Sequence, residues 1–410
     1  MAIPPKALDA LVALVVNAGR LMGKQELHQH LWPDTFVGDV TLARNISDLR
    51  RILATYSTST FVETVPRHGY RFVAQVTCSP VEVVGPPLAP ASAAETDASQ
   101  LVTRAWYTIR RWSPDAVKEA LTYARRAIAT DPCNANAHAV SAYIYLYAGF
   151  NLLPGKDAFP RAKAAATTAL SLDPACAPAH AVFAMQRLVF ERDMAGAEES
   201  CRTAIEVAPQ ALPGHFAYSH LLLVRGRFRE ALDEVRIAMD ADPLSCPVAY
   251  QVANVLYYSG SLEQAVTQLL KFDYLDPDFL PAHQLLPILY ARLDRRQEAL
   301  NEAFKTLQLA GHNSCGKATM GIVSAMLGMQ TEARAILREL EEDSTVPGCR
   351  WSYPRAVIHV HLGERDLALQ CLSEACEEGG ATFLYLRYDP HFAEIRDDER
   401  FANIVNRIGI

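Results

Sequence analysis

The sequence predicts a mainly α-helical protein, in which a small amino-terminal domain of three helices and a β-hairpin precedes an α-solenoid of about eight helical-hairpin repeats. Two observations predict the solenoid: an alanine recurs at a spacing near 34 residues, and a glycine recurs in phase with it. A third predicts the separate domain: one amphipathic helix and two short β-branched, aromatic segments fill residues 42–73. A period near 34 is typical of helical hairpins that bury their apolar faces by stacking on their neighbours.

Composition places the chain among ordinary soluble proteins, since half of its 410 residues are apolar and 21% are charged. No apolar run reaches the ~18 residues that a membrane-spanning helix needs, and the first residues lack an export signal. The nine cysteines form no CxxC pairs, which suits reduced thiols. The sequence therefore predicts a cytoplasmic protein without a membrane segment.

Residues 1–77 are predicted to form the amino-terminal domain. Three groups of apolar residues follow helical spacing, and the third group marks the clearest amphipathic helix. Residues 61–65 and 70–73 have strand composition and flank a turn at 66–69. The apolar helix positions are Leu8, Leu11, Val12 and Val15, then Leu27 and Leu31, then Leu42, Ile46, Leu49 and Leu53.

Several short runs in this domain match one family. Pro5-Lys6 precedes the first helix, Gly19-Arg20 follows it, and Leu49-Arg50-Arg51 lies in the third helix. The most specific run is ETVPRHGYRF, residues 63–72, which has the form in which this family closes its wing. The domain resembles the winged helix-turn-helix DNA-binding effector domain of OmpR-type response regulators, and the resemblance implies that it binds double-stranded DNA.

The resemblance also implies that the third helix lies in the major groove, where base edges present a unique pattern of donors and acceptors. On the polar face of this helix, Arg44, Ser47 and Arg51 are the candidates for base contacts. Arg50, on the flank, is better placed to meet a phosphate. Asn45, at the edge of the face, is placed for either contact.

The wing tip completes the predicted DNA surface, where Arg67 and His68 would reach the minor groove or the backbone. Asp48 lies on the helix face and would repel phosphate; it either accepts from a cytosine amino group or pairs with Arg44 or Arg51. Arginines on one isolated helix usually form a solvated face. The wing sequence behind this helix is what favours DNA contact.

The domain departs from its family at the start. The family's domain opens with an antiparallel sheet, whereas only three residues precede Pro4-Pro5 here. The head is therefore predicted to lack its leading strands, unless the true start lies upstream. No receiver domain precedes it and no membrane helix follows it, so neither a phosphorylation switch nor an anchor is predicted.

Charge is divided unevenly along the chain. Residues 1–76 hold eight Lys/Arg against six Asp/Glu, whereas the remainder holds 31 against 40. This division suits nucleic acid at the amino terminus and a different partner elsewhere.

Residues 78–100, rich in proline and alanine, are predicted to be a linker, followed by repeats at 101–379 and a capping segment at 380–410. Each repeat has a small residue where two helices approach closely, and several have a glycine five residues earlier. Asp294 takes that glycine's place in one unit. The array resembles tetratricopeptide repeats. Its marker alanines are Ala120, Ala162, Ala197, Ala231, Ala265, Ala299, Ala333 and Ala368, and its glycines are Gly226, Gly260, Gly328 and Gly363.

By analogy with other solenoids, the concave face of the repeats is predicted to bind a protein or peptide partner. Tyr143, Tyr145 and Tyr147 alternate on one early helix, so they cannot all be buried; they either line this surface or pack against neighbours. A polar final helix within 380–410 is expected to cover the open end of the stack.

Two sequence patterns resemble a nucleotide-binding site and a metal-binding site but are not interpreted as such sites. Residues 311–317 have the spacing of a phosphate-binding loop, but Ala318 follows Lys317 where Ser or Thr would hold Mg²⁺. His359 and His361 point to different sides of a helix and lack further ligands at metal spacing. The sequence therefore predicts no enzyme, no metal site and no cofactor.

The sequence favours a sequence-specific DNA-binding transcriptional regulator whose repeats bind a protein or peptide partner or effector. A homodimer on DNA is a further hypothesis, since half-sites need two heads. The main alternative is a repeat-based interaction scaffold whose truncated head no longer binds DNA. A weaker one is a nucleotide-dependent regulator that uses the loop at residues 311–317.

Overall fold

The structure, a computed structural model, contains two compact units, Met1–Ala89 and Pro90–Ile410. The residues described are 10–11, 13–15, 18–31, 39–53, 60–65, 68–74, 93–151, 155–272, 275–311, 314–343, 351–378 and 382–409. Among these residues, the smaller unit has one apolar core and the larger unit has three.

The amino-terminal unit combines a three-stranded antiparallel sheet with helices packed against it. Strands β1 (Leu21–Gly23), β2 (Val62–Val65) and β3 (Gly69–Phe72) lie in the order β1-β3-β2. The helices are α1 (Lys24–Leu31) and α2 (Asp39–Leu53), and residues 10–11 and 13–15 are also helical. The hairpin β2–β3 confirms the prediction. Strand β1 was not predicted, because three residues are too few to show an alternating pattern.

Gly69 explains part of the wing motif. In the pairing of β1 with β3, Gly69 stands opposite Gly23, and a Cβ on Gly69 would overlap the carbonyl oxygen of Met22. Only glycine allows the two backbones to come this close. The following Tyr70 and Phe72 are both buried, so the Gly-Tyr-Arg-Phe run is a packing requirement of the sheet.

The core of this unit consists of residues that helical spacing identified. Leu27, Leu31, Leu42 and Leu49 have no exposed surface, and Ile46 is 1% exposed. Burying one such side chain contributes roughly 1.5–3 kcal/mol. The apolar row of α2 therefore fixes the rotation of this helix and turns its polar side outward. Leu11, Val15 and Leu53 are half-buried, and the predicted positions Leu8 and Val12 lie outside the described residues.

Across its described residues, the larger unit is a solenoid of eight helical hairpins. The second helix of each hairpin packs on the first helix of the next, and successive first helices also contact one another. The first helices therefore form one continuous row of the stack, which confirms the predicted tetratricopeptide-type architecture. In order, the hairpins are α3 (Ala93–Ile109) with α4 (Pro114–Thr130), α5 (Ala135–Asn151) with α6 (Gly155–Leu172), α7 (Ala177–Gln186) with α8 (Met194–Val207), α9 (Leu212–Val224) with α10 (Phe228–Ala241), α11 (Cys246–Tyr258) with α12 (Leu262–Phe272), α13 (Leu280–Arg292) with α14 (Arg296–Leu309), α15 (Ser314–Met326) with α16 (Gln330–Asp343), and α17 (Ser352–His361) with α18 (Arg365–Glu378).

The marker alanines occupy one equivalent position in every hairpin. All eight lie on second helices, and all have no exposed surface. A larger side chain at this position would have to displace a neighbouring helix, because protein interiors are packed at crystal-like density. The period in the sequence is therefore a packing constraint.

In six of the eight hairpins, the turn has a left-handed residue five positions before the alanine. Gly226 and the other three predicted glycines have positive φ angles, as does Asp294 at 58°. Arg192 adopts the same conformation at 59°, five residues before Ala197, although its residue type did not suggest it. The packed helices thus impose the left-handed backbone conformation at this turn, even where the residue is not glycine.

Histidines near the start of four first helices were not anticipated. Their Nε2 atoms donate to the carbonyl of the proline six residues earlier, at 2.8–3.0 Å, in the pairs His138–Pro132, His180–Pro174, His215–Pro209 and His283–Pro277. His215 also contacts Glu234 through Nδ1 at 2.6 Å, and this hydrogen bond raises the pKa of His215. These histidines satisfy carbonyls at the helix starts.

The two ends of the solenoid differ from the sequence prediction. Helix α3 begins at Ala93, inside the stretch 78–100 assigned to the linker, and Ala98 on it is buried. At the other end, two 3₁₀ segments, Thr382–Tyr388 and Pro390–Ile395, precede helix α19 (Glu399–Arg407). The segment from Phe383 to Ile395 is largely buried and packs on first helices of the solenoid, so it is not a simple polar cap.

Candidate nucleic-acid interface

Helix α2 has one buried face and one exposed face, as the predicted recognition helix requires. Arg44, Ser47 and Arg51 are exposed, opposite the buried apolar row. Asn45 is half-buried, and its Nδ2 donates to the Thr41 carbonyl at 2.9 Å, which ties the amide to its own helix. The side chain of Asp48 lies outside the described part of the chain. The exposed face thus carries two guanidinium groups, two helical turns apart.

Arg50 has a different environment from its neighbours. Its Nε and Nη2 donate to the Val62 carbonyl at 3.0 and 2.8 Å, and Nη2 also donates to Oγ1 of Thr64 at 2.6 Å. Strand β2 is at the edge of the sheet, and the pairing of Val62 with Phe72 leaves the Val62 carbonyl pointing outward. Arg50 satisfies this carbonyl and joins the last turn of α2 to the wing, a role that helical periodicity could not show.

The wing tip is held by backbone contacts on both sides. The His68 N–H donates to the Val65 carbonyl at 3.1 Å, and the His68 carbonyl accepts from the Lys24 N–H at 3.3 Å. The His68 side chain is exposed, whereas Arg67 lies outside the described residues. Behind the tip, Arg71 and Glu63 pair across the hairpin at 3.9 Å. The start of α1 therefore supports the tip of the wing.

Replacing Arg50 with alanine is expected to loosen β2 from α2. The substitution removes three hydrogen bonds made by one partly exposed guanidinium, and we take their combined contribution as that of a single hydrogen bond to a charged group, about 1.5–3 kcal/mol. Amide exchange in β2 and the last turn of α2 should become roughly ten- to a hundredfold faster, as measured by hydrogen–deuterium exchange mass spectrometry on the full chain. Arg44→Ala, an exposed change on the same helix, is the control. Unchanged protection of β2 in the Arg50 variant would contradict the bracing role.

Comparison with known families agrees with this geometry. Residues 1–72 match the family described as "Transcriptional regulatory protein, C terminal". The head is a winged-helix domain of transcriptional regulators. The Transcriptional regulators HilA of Salmonella typhi and of Salmonella typhimurium strain LT2 are each 40% identical to the chain over 85 residues. Those residues make up 21% of this chain and 14% of each relative, so the match spans about a seventh of the relatives' length.

Solved structures resemble the repeat body. One chain of the APC/C hetero-tetramer Cut9-Hcn1 superposes with a TM-score of 0.53 at 14% identity, covering 78% of this chain and 57% of that chain. A tetratricopeptide repeat protein from Parabacteroides merdae covers 55% of this chain and 91% of its own, at 17% identity and a TM-score of 0.37. At 14% identity, the similarity to the Cut9-Hcn1 structure shows the fold alone, a solenoid of helical hairpins.

The patterns that resembled chemical sites have structural partners. Lys317 lies on helix α15, and its Nζ pairs with Glu339 of α16 at 2.6 Å. Nδ1 of His359 contacts Glu364 at 2.7 Å, and Nε2 of His361 contacts Nδ1 of His391 at 2.9 Å. Within the described ranges there is no cluster of three or more metal-ligating side chains, and no helix long and apolar enough to cross a membrane.

The early tyrosines are mainly packing residues. Tyr147 stacks on Trp112 with ring centroids 4.9 Å apart and donates to the Trp112 carbonyl at 2.7 Å. The ring of Tyr143 lies 5.0 Å from that of Trp106, and burial raises the pKa of Tyr143 to about 12. Trp112 in turn lies 6.0 Å from Phe279 of a distant repeat. Tyr143 and Tyr147 therefore pack against other aromatic side chains of the solenoid.

Proposed function

We propose that the chain is a sequence-specific DNA-binding transcriptional regulator whose repeat body binds a protein or peptide partner. The observation that supports DNA binding most strongly is helix α2. Its apolar side buries Leu42, Ile46 and Leu49. Its opposite side exposes Arg44, Ser47 and Arg51, in a domain that matches transcriptional regulatory proteins. Such a helix, held at a fixed rotation, suits insertion into the major groove.

The proposed DNA contacts are those predicted for the polar face of α2 and for the wing tip. Arg44, Ser47 and Arg51 read base edges, since arginine pairs with guanine through two parallel hydrogen bonds. His68 and Arg67 at the wing tip reach the minor groove or the backbone. Asn45 contacts a base or a phosphate. Arg50 holds the wing to α2, and the phosphate contact predicted for it remains a prediction.

We further propose that the regulator acts in the cytoplasm and binds DNA as a homodimer. A single head of this kind buries a small area on DNA, and two heads on adjacent half-sites supply the affinity of a regulator. The curved stack of repeats provides a surface suited to a protein or peptide, and partner binding there would modulate the DNA-binding head.

The proposal is tested by fluorescence anisotropy of the full chain against labelled DNA from upstream of its own gene, with shuffled DNA as control. We expect selective binding whose log affinity falls linearly with log salt concentration, because bound phosphates release counterions. Equal, weak binding to both DNAs would instead support the alternative of a repeat scaffold with an inactive head.

A further inference from the structure

The carboxy-terminal segment Thr382–Tyr388 lies against repeats that are far away in the sequence. The Tyr385 hydroxyl hydrogen-bonds Nδ1 of His220 on α9, and the Tyr388 hydroxyl donates to the Arg225 carbonyl at 3.3 Å. The Tyr385 ring is 5.1 Å from Tyr258 of α11. The segment thus contacts the fourth and fifth hairpins, although it follows the eighth in the chain.

The two tyrosines project together because of the local backbone. In a 3₁₀ helix, side chains three residues apart eclipse one another, so Tyr385 and Tyr388 leave the segment on one side. Arg387, between them, is exposed. The pair therefore enters the solenoid as two neighbouring aromatic side chains on one short turn, in the manner of ligand side chains on a peptide.

The solenoid offers a matching surface. Phe228 meets the Tyr388 ring edge-on, with centroids 5.4 Å apart. A Cβ on Gly226 would overlap that ring, so the glycine leaves the space that Tyr388 occupies. Burial lowers the pKa of His220 to about 3, which keeps its ring neutral and lets Nδ1 accept the Tyr385 hydroxyl. We call the surface formed by His220, Arg225, Gly226, Phe228 and Tyr258 the tyrosine site.

The next part of the segment is anchored elsewhere. The buried carboxylate of Asp389 accepts the Tyr353 hydroxyl and the His391 N–H, and Phe392 is fully buried against the eighth hairpin. These anchoring contacts lie outside the tyrosine site. Besides its ring contacts, each tyrosine makes one hydroxyl hydrogen bond to the tyrosine site; Tyr385 is buried and Tyr388 is half-buried.

We propose that the tyrosine site is a peptide-recognition site for a segment with two tyrosines three residues apart. In this chain Tyr385 and Tyr388 occupy it, and a partner segment of the same chemistry displaces them. The proposal rests on the proposed function of the repeat body as a binder of protein or peptide, and it names the surface and the ligand. Because the occupying segment is tethered, its effective concentration is on the order of mM, so the partner must compete with it.

The test uses the full chain and a fluorescein-labelled peptide TFLYLRYD, which reproduces residues 382–389. Replacing Tyr385 and Tyr388 together with alanine should raise the affinity for this peptide at least tenfold over that of the unaltered chain. A peptide with alanine at both tyrosine positions should not bind. The double variant Tyr385→Phe, Tyr388→Phe keeps both rings, so it tests the site even if the alanine variant does not fold. It should raise peptide affinity by a smaller factor.

Two glycine variants provide a matched control in the chain that carries both alanine substitutions. Gly226 and Gly260 both have positive φ angles, but nothing lies within 4 Å of a Cβ on Gly260. Gly226→Ala should therefore abolish peptide binding, whereas Gly260→Ala should not. If circular dichroism shows that the tyrosine variants fold and neither binds the peptide, the proposal is overturned. A DNA titration on the same samples decides the DNA-binding function separately.

Discussion

Replacing both Arg44 and Arg51 with alanine is expected to lower the affinity for specific DNA by about two orders of magnitude or more. Both side chains are exposed on the face of α2 opposite its buried row. One arginine–base contact contributes about 1–3 kcal/mol. Each arginine that contacts a phosphate instead contributes about one to the slope of log affinity against log salt concentration. The measurement is fluorescence anisotropy of the full chain on specific and shuffled DNA at several salt concentrations.

The control for this change is Arg125→Ala with Arg126→Ala, which removes the same charge from exposed positions on helix α4 of the repeat body. An equal fall in affinity for both pairs would mean that only net charge was measured. Undiminished selective binding by the Arg44, Arg51 variant would exclude α2 as the reading helix. Arg50 is left unchanged in this test, because it also supports the wing.

The head shows what local sequence patterns can predict. Leu42, Ile46 and Leu49 were identified from helical spacing alone, because a helix with one buried side repeats every 3.6 residues. The same spacing could not assign Arg50, whose partners Val62 and Thr64 come from a strand twelve or more residues later. Residues at the edge of a helical face depend on what the rest of the fold places beside them.

In the repeat body, the solenoid could be predicted because the same residue types recur from hairpin to hairpin, whereas no single residue would have indicated the fold. The alanine is fully buried on the second helix of every hairpin, so it recurs whenever the hairpin recurs. Asp294 and Arg192 occupy the left-handed turn because the neighbouring helices determine its geometry, and periodicity is the signal that would have identified Arg192. The contacts of Tyr385 and Tyr388 join residues 163–165 positions apart and leave no periodic trace.

Ala197→Leu is expected to destabilise the solenoid by about 1–3 kcal/mol, because it adds volume at a fully buried contact between two helices. Ala195→Leu, on the same helix α8, is the matched control, since Ala195 is exposed and leucine is nearly as favourable as alanine in a helix. Urea unfolding followed by circular dichroism should show a lower midpoint for the first variant and an unchanged midpoint for the second.

The same comparison tests why the alanine recurs. If close helix approach requires the alanine, the larger side chain in Ala197→Leu forces the two helices of its hairpin apart, and stacking transmits the strain to the next hairpin. Amide exchange should then rise in the adjoining helices α7 and α9 as well as in α8, while Ala195→Leu leaves all three unchanged. If the Ala197→Leu variant were as stable as its control, the spacing would reflect helix propensity rather than packing, and the periodicity would lose its structural explanation.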